Sequence, residues 1–242
     1  MGPFLDSPGD DHPSKMRSLT CLEIVGPPGA GKTTLALALK NRHHRFHLKH
    51  HPDWRQFKNF PFFIKNGLSL APAFASLIFG RQGRWLHRKE FFSMMFLHGW
   101  HHRLTRHKPD NGIILFDQGP VYMLWELIYM RESQVMNLLQ KEGWKRIFEK
   151  WGHVLDGIIW LDAPDNVLAH RINRREKNHM IKGASPSQAR DFMERSRVLL
   201  NQAVAMVRAD RRTPAVFRFD TGRQSLNEIV DYLLGELKLD AE

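Results

Sequence analysis

The sequence predicts a three-layer α/β domain built on a doubly wound parallel sheet, and three observations carry that prediction. Apolar runs of strand length recur, each closed by an acid or a turn. Stretches of helical character separate them, and the first run leads into a Gly-rich loop and a helix start. Parallel strands need crossover helices between them, which is the alternation seen here. With 242 residues and 42% hydrophobic content the chain can bury a sizeable core. The expectation is one domain over 18–242 behind a mobile lead-in at 1–17, where Pro, Gly, Asp and Ser occur without periodicity.

The first strand is expected over Leu19–Val25. Next comes Gly26-Pro27-Pro28-Gly29-Ala30-Gly31-Lys32-Thr33-Thr34, which fits the phosphate-binding pattern G-x-x-x-x-G-K-[ST], and Thr33–Leu39 starts a helix. The pattern alone is weak, since any tight strand-to-helix turn is rich in Gly. Strand, loop and helix in this order make it specific. Glycines let the backbone aim its N–H groups inward, and the helix N-terminus adds partial positive charge where a phosphate would lie. Lys32 would reach the β- and γ-phosphates and Thr33 would offer its hydroxyl to Mg²⁺, so the chain is expected to bind a nucleoside triphosphate.

A short second strand is expected around Phe46–Leu48, before Pro52 breaks regular structure. From Trp54 to Trp100 the composition turns to Phe, Leu, Ile and Met with interspersed Arg, Lys and His. Residues 52–108 form the expected helical segment beside the acceptor. Within it Gly67–Gly80 is read as a buried helix or one wall of a pocket, and Trp85–Lys108 as a long helix entered through a basic turn. Gly112–Asp117 and Gly157–Asp162 repeat one design, a buried parallel strand ending in an acid. Helical segments lie between them as far as Trp151. A helix begins beyond Pro164 and ends in Arg171-Ile-Asn-Arg174-Arg175. Ser185-Pro-Ser-Gln188 is a capping signature for a helix to Ala209, Ala215–Phe219 is the last strand, and Ser225-x-x-Glu228 caps the terminal helix.

Cys21 is the single cysteine, which excludes disulfides within the chain and Cys-rich zinc sites. Histidines crowd His43–His51 and recur at His98, His101 and His102, but without H-E-x-x-H or an acidic ligand at helical spacing, so no metal is assigned to them. The first residues hold acids and no apolar run of signal-peptide length, and Asp6 stands where myristoylation wants Ser or Thr. The expected location is cytoplasmic. Lys and Arg outnumber Asp and Glu by 36 to 25, a net charge of +11 that favours anionic partners without saying which.

In such a sheet ligands bind beyond the carboxyl ends of the strands, where the phosphate loop, Asp117 and Asp220 all emerge. Asp117 suits a role beside Thr33 in holding Mg²⁺; the plainer alternative is a cap on the following helix. Arg171, Arg174 and Arg175 crowd a helix end where a lid could bring guanidinium groups onto a transferring phosphoryl, or where cations merely favour the helix dipole.

Gly26–Thr34, strand-ending Asp117, the stretch IIWLDAPDNVLAHRINRR and the closing FRFDTG together resemble the thymidylate kinase and deoxynucleoside kinase group of P-loop kinases. The resemblance spans most of 18–238. It implies a P-loop NTPase fold with a five-stranded parallel sheet, lid arginines at Arg171 and Arg175, and Asp220 and Thr221 beside the adenine. Members of that group carry Arg after the acid of the middle strand, whereas Gln118 follows Asp117 here, which leaves the acceptor open. His51-Pro52-Asp53-Trp54 is a loose counterpart of the group's acidic loop, making Asp53 the candidate general base.

The function expected from the sequence is thus an ATP- and Mg²⁺-dependent kinase acting on a small-molecule acceptor of nucleoside, nucleotide or glycan type. A nucleotide-switched binding protein with a basic face for nucleic acid or an anionic membrane is the alternative.

Overall fold

The computed structural model describes residues 20–49, 59–79, 88–106, 112–139, 142–176, 179–209 and 213–239. Five strands, β1 (Cys21–Val25), β2 (Phe46–Lys49), β3 (Ile113–Phe116), β4 (Gly157–Asp162) and β5 (Ala215–Asp220), pair in the order β2-β3-β1-β4-β5. Every pairing is parallel, with Glu23 in register with Phe116 on one side and Ile158 on the other. This is the predicted three-layer α/β sheet with β1 at its centre.

Among the described residues eight helices accompany the strands: α1 (Lys32–Arg42), α2 (Phe60–Phe79), α3 (Arg88–Arg106), α4 (Pro120–Leu139), α5 (Glu142–Val154), α6 (Asp165–Asn173), α7 (Pro186–Val207) and α8 (Leu226–Glu236). The period-2 alternation of each strand divides the apolar residues between two cores. Cys21, Val25, Ile114, Phe116, Ile158 and Trp160 pack with α3, α4, α5 and the second half of α7. Leu22, Ile24, Ile113, Leu115, Ile159 and Leu161 pack with α1, α6, α8 and the first half of α7. Trp151 is fully enclosed in the first core, where it stacks on Phe96 at 5.4 Å and donates its indole N–H to Leu97 O at 2.7 Å.

Both capping signatures are realised. Ser185 accepts from Gln188 N and Ser225 from Glu228 N, each with the return bond that completes the box. The α7 helix ends at Val207 rather than Ala209, Arg208 closing its last turn onto Val204 O. Of the two readings of Gly67–Gly80, a buried helix or one wall of a pocket, the first needs correction. Its helix starts earlier, at Phe60, and one flank lies open, with Leu68 72% and Phe79 85% exposed. The reason is that among the described elements α2 packs chiefly on α3, through the side that carries Phe62, Asn66, Leu70 and Phe74. The lead-in at 1–17, Trp85 and the turn before α3 lie outside the described residues.

Candidate functional site

The chain leaves the centre of the sheet at Val25 and turns at once. Gly26 has φ 147°, and a Cβ there would run into the Leu161 carbonyl of the neighbouring strand, so no other residue fits this turn. At Gly29, φ is 89° and a Cβ would stand 2.8 Å from Leu168 O, which lets the loop lie directly on α6. The loop ends at Gly31 in the left-handed region as the N-cap of α1. It offers no capping side chain, and no acid occupies the first turn. The leading amides of α1 are therefore left facing the loop, an anion-binding arrangement.

The Lys32 ammonium donates to Gly26 O at 2.7 Å and Pro27 O at 3.0 Å, folded onto the loop's own carbonyls. Enclosure lowers its pKa from 10.5 to about 8, with Asp117 pulling it back up and Arg175 pushing it further down. The Thr33 hydroxyl donates to Asp117 Oδ2 at 2.8 Å. Asp117 follows directly on β3 and is only 8% exposed, so parallel pairing of β1 and β3 brings two residues distant in sequence to one point. A hydroxyl and a carboxylate oxygen side by side at the end of a phosphate loop are hard oxygen donors of the kind Mg²⁺ takes.

On the other side of the loop lies a cleft of about 370 Å³. Leu161, Leu226 and Ile229 give it an apolar wall, while Thr34, Thr221, Gln224, Arg171 and Arg175 give it polar ones. Arg171 ties its rim together: its guanidinium donates to Thr221 Oγ1 at 2.8 Å and Thr221 O at 2.7 Å, and reaches Gly29 O at 3.4 Å. Arg175 lines the same cleft. Arg174 caps α6 by its backbone and is exposed. Asp220 organises the turn before α8, accepting from Gly222 N at 2.8 Å and lying 3.5 Å from Arg223. Asp53 lies outside the described residues.

Several contacts of this region were not foreseen from the sequence. Glu23 is buried in mid-β1 and accepts from the backbone of Gly119, Val121 and Tyr122, holding the first turn of α4 just after Asp117. The signal was present, a charged residue inside an otherwise apolar strand. Asp162 at the end of β4 takes the Arg197 guanidinium at 2.8 and 3.1 Å, and Asp165 takes it at 2.7 Å, which clamps α7 to the strand end. Nothing local marks Arg197 for this. His179 stands close enough to Arg175 and Lys32 that both reinforce the lowering of its pKa by burial.

No protein-family model matches the chain, and a comparison with curated proteins finds no match. Among solved structures the chain is similar to the YorR protein of Bacillus subtilis, solved in complex with phosphorylated GDP. The identity is 16%, with 90% of this chain and 96% of that one covered and a TM-score of 0.49. It is similar also to deoxyadenosine kinase from M. mycoides with bound dATP, at 14% identity, with 90% and 100% covered and a TM-score of 0.48. The same enzyme with bound dCTP gives 15%, 90%, 99% and 0.47.

Proposed function

We propose that this protein is an ATP- and Mg²⁺-dependent kinase that moves the γ-phosphoryl of ATP to a hydroxyl or phosphate of a small-molecule acceptor. The observation that carries this reading is the Thr33–Asp117 contact of 2.8 Å, one residue along from a Lys32 ammonium hydrogen-bonded to the loop carbonyls of Gly26 and Pro27. The triphosphate would lie along the loop amides and the N-terminus of α1, drawing Lys32 off Gly26 O and Pro27 O onto its β- and γ-oxygens. Thr33 and Asp117 would hold Mg²⁺, which when bound offsets phosphate charge and orients the γ-group. The base and ribose would take the cleft between Arg171, Thr221 and Leu226, with the Asp220 turn as its border.

Transfer forms a bond from the acceptor oxygen to the γ-phosphorus and breaks the bridging bond to the β-phosphate, releasing ADP. The acceptor proton passes to a base, for which Asp53 is the candidate. Charge spreads over the equatorial oxygens as this happens, and Arg175, with Arg174 one position before it, is the cation the lid would supply. Arg171, expected with them as a lid cation, would also keep the cleft in shape through Thr221 and Gly29. Gln118 cannot offer the guanidinium fork that an Arg would, so the acceptor is held differently here, with the aromatic and basic stretch from Trp54 to Trp100 as its expected surroundings.

The test is ATP consumption with Mg²⁺ in the presence of pooled nucleosides, nucleoside monophosphates, sugars and lipid-linked glycans. Acceptor-stimulated turnover is expected, reduced at least 100-fold or so by Lys32→Ala and by Asp117→Asn. Wild-type turnover in Lys32→Ala would sink the assignment. Slow turnover indifferent to every acceptor would favour a nucleotide-switched binding protein instead.

A further inference from the structure

The α2 helix presents an uncommon surface. Phe60, Ile64, Leu68 and Phe79 are 60%, 49%, 72% and 85% exposed. Pro61, Ala71, Pro72 and Ala75 are exposed between them. At about 100° per residue these positions fall within a sector of roughly 120°, a continuous apolar stripe about 30 Å long. Among the described side chains of α2, the exposed polar residues Lys65 and Ser69 border it. The opposite side of α2 is spent on packing, with Phe62, Asn66, Leu70 and Phe74 buried. An apolar patch of this extent on one element marks a surface that meets something other than water.

Charge indicates what it meets. From Trp54 to Lys89 the sequence holds seven Lys or Arg (55, 58, 65, 81, 84, 88 and 89) and no Asp or Glu, so these residues supply +7 of the net +11. Lys65 stands on α2, and Arg88 and Lys89 are exposed at the start of α3, the helix on which α2 packs. A second copy of the same chain would set two such acid-free cationic stretches against each other. A nucleic acid would satisfy the charge but leave eight apolar positions in water. An anionic bilayer surface answers both, taking the apolar stripe into the boundary of headgroups and acyl chains while its headgroups meet Lys65 at the border of the stripe and the net positive charge of the stretch. Among the described residues no helix is long and apolar enough to cross a membrane, so α2 would lie along the surface.

We infer that the outer face of α2 is a peripheral docking surface for an anionic phospholipid bilayer. This does not rest on the phosphotransfer reading, because nucleotide-free protein suffices to test it. The full chain is floated with vesicles of phosphatidylcholine, or of phosphatidylcholine and phosphatidylglycerol in equal amounts. The expected result is partition onto the anionic vesicles at least about tenfold above the neutral ones, falling steeply as salt is raised. The exposed double variant Leu68→Ser/Phe79→Ser should lose roughly tenfold or more of that partition. Lys65→Glu, which alters only the rim, should weaken anionic binding alone, and thermal melts verify that each variant is folded. Three results would overturn the inference: equal flotation on both vesicle types, undiminished flotation of the folded double variant, or a solution dimer that the double variant dissociates. Salt-sensitive binding to a polynucleotide, without vesicle binding, would assign the charge to nucleic acid instead.

Discussion

Glu23 sets the most demanding test of the electrostatics. It lies fully enclosed between Leu22 and Ile24, accepting at Oε1 from Gly119 N (3.1 Å) and Tyr122 N (2.9 Å) and at Oε2 from Val121 N (3.0 Å). Burial raises its pKa from 4.5 to about 8, against the pull of those amides. The unfolded carboxyl releases its proton near 4.5, so between there and about 8 the folded chain holds a proton that the unfolded chain has lost. The contribution of this site to stability is therefore full at low pH and declines as pH rises through that window. At 1.36 kcal/mol per unit the whole decline is about 5 kcal/mol. Glu23→Gln keeps the shape and one acceptor oxygen, enough for Gly119 N and Tyr122 N, while its NH2 cannot accept from Val121 N; it should fold with a loss of about 1–2 kcal/mol and lose that part of the slope. Glu23→Ala leaves three amides of the first turn of α4 without their acceptor in a closed site. It should cost about 3 kcal/mol or more and lower activity through the displaced Asp117 loop. Denaturant unfolding of the three proteins at about pH 5, 6.5 and 8 decides the matter. The reasoning fails if Glu23→Gln keeps the wild-type slope, or if Glu23→Ala stays within about 0.5 kcal/mol of wild type.

Lys32, lowered to about 8, must be charged to hold phosphate, so nucleotide affinity should decline above that pH, and binding near it should take up a proton. Calorimetry in two buffers of different ionisation enthalpy reads that uptake; none at all would refute it. The same shift implies that stability rises between 8 and 10.5, since there the unfolded chain carries the proton that the folded one lacks. Gly26→Ala forces a side chain into Leu161 O from a positive φ and should destabilise by about 3 kcal/mol or more while abolishing nucleotide binding, read by thermal melting with and without ATP. Arg197→Ala strands Asp162 and Asp165, and because solvent reaches the guanidinium the expected loss is about 2 kcal/mol, restored in part by Arg197→Lys. Equal melting temperatures for Arg197→Ala and wild type would show the clamp to be idle.

Much of this was legible because it is local. Buried parallel strands read as unbroken apolar runs, and IILF and GIIWLD became β3 and β4 within a residue of their expected bounds. Capping boxes are written in four consecutive residues, and both appeared where Ser185 and Ser225 placed them. The α2 helix was harder. Apolar residues on all sides read as burial, yet burial depends on how many neighbours a helix finds, and its main described packing partner is α3.

By itself the sequence determined the alternation of strands and helices, the phosphate loop with its glycines, and the acids that end β3, β4 and β5, because each follows from backbone sterics or periodicity within a few residues. Only the tertiary structure decided the strand order β2-β3-β1-β4-β5, and with it the meeting of Thr33 with Asp117, of Glu23 with the start of α4, and of Arg197 with Asp162. Those contacts join residues 35 to 99 positions apart. No local preference encodes them; they exist because parallel pairing sets distant strand ends side by side.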